Sequence, residues 1–283
     1  MSLFQAALLG IVQGLTEFLP VSSTAHLYLA QGLLGISNDE VALSFDIVLH
    51  LGTAAALILV TWPQLSAIVG EVFLILGRRP ARNAEARALI LPIILGTIPG
   101  ALAGLFLLKR FEAMRSPSTI GIAMLVACTF FLWAENAAAH RSGRERTLSS
   151  LDTFDAIWIG LAQAAAGLMA GLSRSGFTIS TGHVRGLRRE DSARFSFLLA
   201  LPIILGAGAK ALLDLHKHPS PSISGSILIA GFLTAAISGY FAVGFLLRFL
   251  RTHSLRPFAV YLGLLGAALL AWSLFPGAAF SPP

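Results

Sequence analysis

The chain has 283 residues, 55% of them hydrophobic and only 12% charged. So little charge cannot cover a soluble protein of this length, and a mean hydropathy of +0.78 indicates an all-α polytopic membrane protein. The net charge of +6 does not signal nucleic acid, because the arginines sit in short loops between apolar runs, where they set membrane orientation.

The first apolar run, 1–36, is broken at Pro20-Val21-Ser22-Ser23. It has no basic start and contains Gln13, Glu17 and Pro20, so it does not read as a cleaved signal peptide. Segments 43–62, 89–108 and 116–135 follow, each long enough to cross a bilayer. Residues 66–77 are shorter and are expected at the membrane interface. A second broken run, 154–186, is interrupted at Gly171-Leu172-Ser173-Arg174-Ser175-Gly176. Spans at 195–213, 224–247 and 257–275 complete the chain. Each half of a broken run is nearer to about 15 residues than to about 20, too short to cross alone. Both runs are therefore expected to be re-entrant helical hairpins whose tips meet inside the protein. The lone Cys128 excludes an intrachain disulfide and reads as a core residue. Gly96, Gly100 and Gly104 recur at every fourth position, a spacing for close helix contact within one chain or across a homodimer.

The two broken runs resemble each other at an offset of 150 residues. Gly10 pairs with Gly160, Gln13 with Gln163 and Ser23 with Ser173; Phe45, Leu49 and Leu51 fall on Phe195, Leu199 and Leu201. The chain is expected to be a single membrane domain of two repeats, 1–135 and 154–275, each a re-entrant pair followed by three spans. Three is odd, so the repeats have inverted topology. Loops 78–88, 136–153, 185–194 and 248–256 hold 14 of the 20 basic residues, and the opposite side holds five. That bias places those loops in the cytoplasm and both termini outside it.

Several polar residues stand where apolar ones are the rule. Glu17 lies one turn after Gln13 on the same helix face. It could pair with Arg174, bind a divalent cation, or manage a proton beside a phosphate. If Pro20 starts a new half-helix, Ser23 and His26 share a face, and the histidine can serve the hydroxyl as acid or base. Arg174, always charged, sits between Ser173 and Ser175 with Gly176 next. Its fork matches two phosphate oxygens, and two half-helices starting near Ser22 and Ser173 would aim their positive ends at one place. Asp46 and His50 form an i,i+4 pair that can close on itself or support the site. Glu71 is expected at the interface, and Arg188, Arg189, Glu190 and Asp191 in a solvated loop.

Gln13 through His26 resembles the first signature of the bacitracin-resistance-type undecaprenyl-diphosphate phosphatases, and Gly171 through Thr178 resembles the second. Phe45 to Gly52 and Arg194 to Pro202 also look like segments of that family. Gln13 stands where many members have glutamate, and Ala170-Gly171 where proline-glycine is usual. The resemblance implies an enzyme of the bacterial inner membrane, its site open to the periplasm. It would remove the terminal phosphate of undecaprenyl diphosphate, recycle the lipid carrier of cell-wall precursors and confer bacitracin resistance. It implies catalytic roles for Glu17, Ser23, His26 and Arg174, with Ser22, Thr24, Ser173, Ser175, Gly176 and Thr178 binding substrate. It also implies a divalent cation, Mg2+ or Ca2+, at Glu17 with Gln13. The residues leave a serine nucleophile and direct attack by water both open. A transporter or flippase of a polyprenyl phosphate or another anion, built on the same inverted repeat, is the rival function.

Overall fold

The structure, a computed structural model, describes residues 1–36, 40–106, 116–141, 143, 145–217 and 223–274. The loop cations Lys109, Arg110, Arg115 and Arg144 lie outside them.

Each broken run is two short helices. α1 (Leu3–Phe18) and α2 (Ser23–Leu33) form the first pair; α6 (Thr153–Leu168) and α7 (Arg174–Val184) form the second. At 16 and 11 residues they rise about 24 Å and about 16 Å, less than the ~30 Å hydrocarbon core. Capping boxes start both pairs: Ser2 with Gln5 for α1, Asp152 with Asp155 for α6.

The long helices are α3 (Glu40–Leu76), α4 (Ala84–Phe106), α5 (Pro117–Ala139), α8 (Arg189–Lys217), α9 (Gly225–Phe249) and α10 (Arg256–Ser273). All six contain stretches long and apolar enough to cross a membrane, and each overlaps one expected span. Ser116 caps α5, with Pro117 in its first turn.

Two expectations need correction. Residues 66–77 are not a short segment of their own, because α3 runs on through Pro63 to Leu76. A proline removes one backbone donor, and packed membrane helices absorb that loss. At 37 residues α3 is about 55 Å long, so one end stands beyond any bilayer core. Residues 189–191 are not in a solvated loop either; only Arg188 is exposed and outside the helix. Arg189 opens α8 and forms a two-pronged pair with buried Glu135 at 2.6 and 2.9 Å, and Glu190 holds Arg194 and Arg251. Glu71 is also buried, accepting the backbone N–H groups of Arg82 and Asn83 and thereby fixing the α3–α4 turn.

Glycine sets how closely the helices pack. A Cβ on Gly10 would lie 2.5 Å from the Gly231 carbonyl oxygen of α9, and one on Gly160 only 2.3 Å from that of Gly96 in α4. Each hairpin's first helix thus lies backbone to backbone on a long helix of the other half. Between α5 and α10 the contact is reciprocal: a Cβ on Gly121 would meet the Gly266 oxygen, and one on Gly266 the Gly121 oxygen, both at 2.8 Å. The Gly96 and Gly100 rungs are filled within the chain by Leu199, Gln163 and Ile203, while Gly104 faces open space.

Candidate active site at the hairpin junction

The tips of the two hairpins meet. Between α1 and α2 the chain turns through 19–22, and between α6 and α7 through 169–173. The last tip residues, Ser22 and Ser173, share one unusual backbone state, with φ/ψ of 70/91° and 61/93°. Non-glycine residues hold such angles at a cost of about 1–3 kcal/mol, and only where their surroundings enforce it. Here the tips enforce it on each other. Gly171 N–H donates to Ser22 Oγ at 3.1 Å, and Ser175 Oγ donates to the Leu19 carbonyl at 3.1 Å. Gly171 itself has φ +109°, and a Cβ there would lie 2.7 Å from the Ile120 oxygen.

The second tip is one residue longer, which shifts the repeat register. The 150-residue offset holds along α1 and α6, but Ser22 and Ser173 are the matching caps. Ser23 therefore corresponds in space to Arg174 and not, as the offset alone suggests, to Ser173.

Glu17 is the hub. Only 7% exposed, it receives Arg174 on Oε1, and on Oε2 the Gln13 amide at 2.9 Å and the Ser23 hydroxyl at 2.7 Å. His50 Nε2 stands 3.5 Å from the same carboxylate, while its Nδ1 donates to the Asp46 backbone oxygen at 2.7 Å. The Asp46 carboxylate instead accepts from Gln31 at 2.7 Å. Asp46 and His50 thus do not close as a side-chain pair, and the histidine is turned to Glu17. One carboxylate draws in groups from α1, α2, α3 and α7.

His26 does not take the Ser23 proton in this arrangement, because that hydroxyl is held by Glu17. Its Nδ1 lies 2.8 Å from the Ser22 carbonyl, which can only accept, so Nδ1 carries the proton. Its Nε2 lies 2.6 Å from the Tyr261 hydroxyl of α10. Tyr261 carries no signal in the sequence, being one aromatic residue in an apolar span 235 positions away.

The other expected substrate contacts divide. Thr24 is half-buried in the first turn of α2, where no side chain caps the backbone N–H groups. Ser173 Oγ is taken by Gly176 N–H at 3.3 Å, and a Cβ on Gly176 would strike the Phe131 ring at 1.9 Å. Gly176 thus serves packing and capping. Thr178 is fully buried behind the arginine, with its hydroxyl 2.9 Å from the Arg174 carbonyl and 2.5 Å from Ser196 Oγ, a residue the sequence did not mark.

For a cation, the described residues contain no cluster of three or more His, Cys, Asp or Glu side chains. They do offer Glu17 and the Oε1 of Gln13, which is buried without a hydrogen-bond partner. Because Gln13 turns Nε2 to Glu17, a hard divalent ion shared by the two residues would need the amide turned over, with water and phosphate as the remaining ligands.

Six apolar helices around a hydroxyl–carboxylate–guanidinium cluster define a multi-pass membrane protein with a buried polar site. Residues 6–268 match the family described as "Bacitracin resistance protein BacA", and the chain belongs to it. It is 42% identical to the "Undecaprenyl-diphosphatase" of Rubrobacter xylanophilus, covering 95% of this chain and 99% of that one. The protein of the same name from Carboxydothermus hydrogenoformans is also 42% identical, over 95% and 97%. "Undecaprenyl-diphosphatase 2" of Stutzerimonas stutzeri is 42% identical over 98% and 100%.

Proposed function

We propose that the chain hydrolyses undecaprenyl diphosphate to undecaprenyl phosphate and inorganic phosphate where the hairpins meet, with Glu17, Ser23, His26 and Arg174 as the reacting set. The phosphatase activity rests on the family and on relatives aligned over nearly their whole length. One observation carries the site: Glu17 holds the Ser23 hydroxyl on one oxygen and Arg174 on the other.

An arriving diphosphate competes with Glu17 for the guanidinium, whose fork matches its oxygens. Glu17, freed of the arginine, keeps Ser23 and takes its proton as Oγ attacks the terminal phosphorus. The phosphoanhydride bond breaks, undecaprenyl phosphate leaves, and water then cleaves the phosphoserine. Arg174 and the uncapped N–H groups of α2 stabilise the charge on the phosphoryl oxygens. His26 is the acid or base for the side of the headgroup facing α10. Glu17 and Gln13 would hold Mg2+ or Ca2+, which supplies charge neutralisation on the phosphates when bound. The Ser23–Glu17 bond favours serine over water as nucleophile, and a phosphoprotein trapped by rapid quench tests it.

The halves are read as two-fold related because each hairpin's first helix rests on the other half's long helix and α5 and α10 meet reciprocally, and the three spans per half, an odd number, make that repeat inverted. The basic loops support an inner-membrane orientation with the site toward the periplasm. Lipids surround the spans, and open Gly104 is the rung left for a homodimer.

The test is phosphate release from undecaprenyl diphosphate by detergent-purified protein, with and without chelator. A transporter or flippase would release none where no compartments exist.

A further inference from the structure

Tyr261 and His26 are in contact in two ways. The phenol oxygen lies 2.6 Å from Nε2, and the rings stack with centroids 5.7 Å apart and planes within 13°. The proton on Nδ1 is fixed by the Ser22 carbonyl, so Nε2 has a lone pair and the tyrosine must be the donor. Both partners are anchored. Ala25 and Tyr28 of α2 and Ala259 and Leu262 of α10 share one apolar cluster with Phe131 of α5. Tyr261 itself is 43% exposed, so the pair lies at an open edge of the site between α2 and α10.

We infer that Tyr261 is a positioning residue of the phosphatase: the Ser22 carbonyl sets the Nδ1–H tautomer, and the Tyr261 hydroxyl, donating to Nε2, holds the ring with that lone pair toward the mouth through which the headgroup reaches Ser23, until the headgroup takes the phenol's place. The inference rests on the reading of His26 as part of the reacting set. A histidine held at both nitrogens keeps one tautomer and one ring orientation, and these decide whether it can exchange a proton with substrate. The ring stack alone leaves Nε2 without a partner, so the hydroxyl carries the effect.

The experiment is a double-mutant cycle on purified protein, following phosphate release from undecaprenyl diphosphate. Tyr261→Phe keeps the stacked ring and should lower kcat roughly tenfold, the worth of one hydrogen bond, with KM within about twofold. In a His26→Ala background the same change should cost nothing further. Tyr261→Phe at wild-type kcat, or losses that multiply in the double variant, would overturn the role. His26→Ala at full turnover would instead remove His26 from the site. If His26→Ala leaves no measurable rate, 15N resonances of labelled histidine decide, with His26 assigned by its loss in His26→Gln. The His26 Nε2 signal should move in Tyr261→Phe, and an unmoved signal overturns the proposal.

Discussion

In the first hairpin, Gln13 and Glu17 stand one turn apart on α1, and the amide donates to the carboxylate. In the second, Gln163 stands on α6 with Gly167 one turn on, and both amide atoms of Gln163 are buried without a hydrogen-bond partner. The caps repeat the contrast. Ser22 and Ser173 share a strained backbone, but the next residue is a hydroxyl donor, Ser23, in one and a cation, Arg174, in the other. The two hairpins thus use one backbone plan for opposite charges. The half carrying the acid and the hydroxyl depends on the other half for its counter-ion, so neither is a site alone.

The sharpest way to break that division is to remove the cation. Arg174→Ala should cost at least about 3 kcal/mol of transition-state stabilisation, over a hundredfold in kcat/KM. Purified variant with near-normal turnover would contradict the assigned pocket. Glu17→Gln should lower kcat about a hundredfold, through loss of the base for Ser23. If thermal stability falls but turnover does not, Glu17 is only a clasp between the hairpins.

Smaller effects sharpen the comparison. Gly160→Ala forces a Cβ onto the Gly96 carbonyl and should destabilise by about 2 kcal/mol, while Gly167→Ala, facing open space, should change stability by about 0.5 kcal/mol or less. Equal midpoints in thermal unfolding would mean that α6 does not lie on α4 as described. Gln163→Leu should stabilise by about 1 kcal/mol, since it removes a buried amide with no partner. Gln13→Leu should instead lower activity, because it strips Glu17 of a donor. Loss of activity in both variants would give the second glutamine a part in the reaction.

The candidate site was legible in the sequence as a set of residues more than as a set of bonds. Glu17, Ser23, His26 and Arg174 stood out because polar groups inside apolar runs are costly. Ser196 and Tyr261 gave no such signal, since a serine or tyrosine in a span is unremarkable until its partner is known. The repeat was visible at Gly10 and Gln13, where close helix packing restricts side chains, but its register slipped at the tips, where one added residue leaves no mark on hydropathy. Glu190 and Arg189 read as a surface loop because charge in a sequence signals solvation, but buried Glu135 draws Arg189 onto the helix end.

Sequence by itself settled the class, the six apolar spans and the two helix pairs too short to cross, because a bilayer admits only backbone that satisfies its own hydrogen bonds over a fixed thickness. Tertiary structure alone decided that Glu17 takes Arg174 and Ser23 together, and that His26 turns to a tyrosine of the last helix. Those choices depend on which distant surfaces come into contact, and a hydrogen bond between residues 157 or 235 positions apart has no local sequence cause.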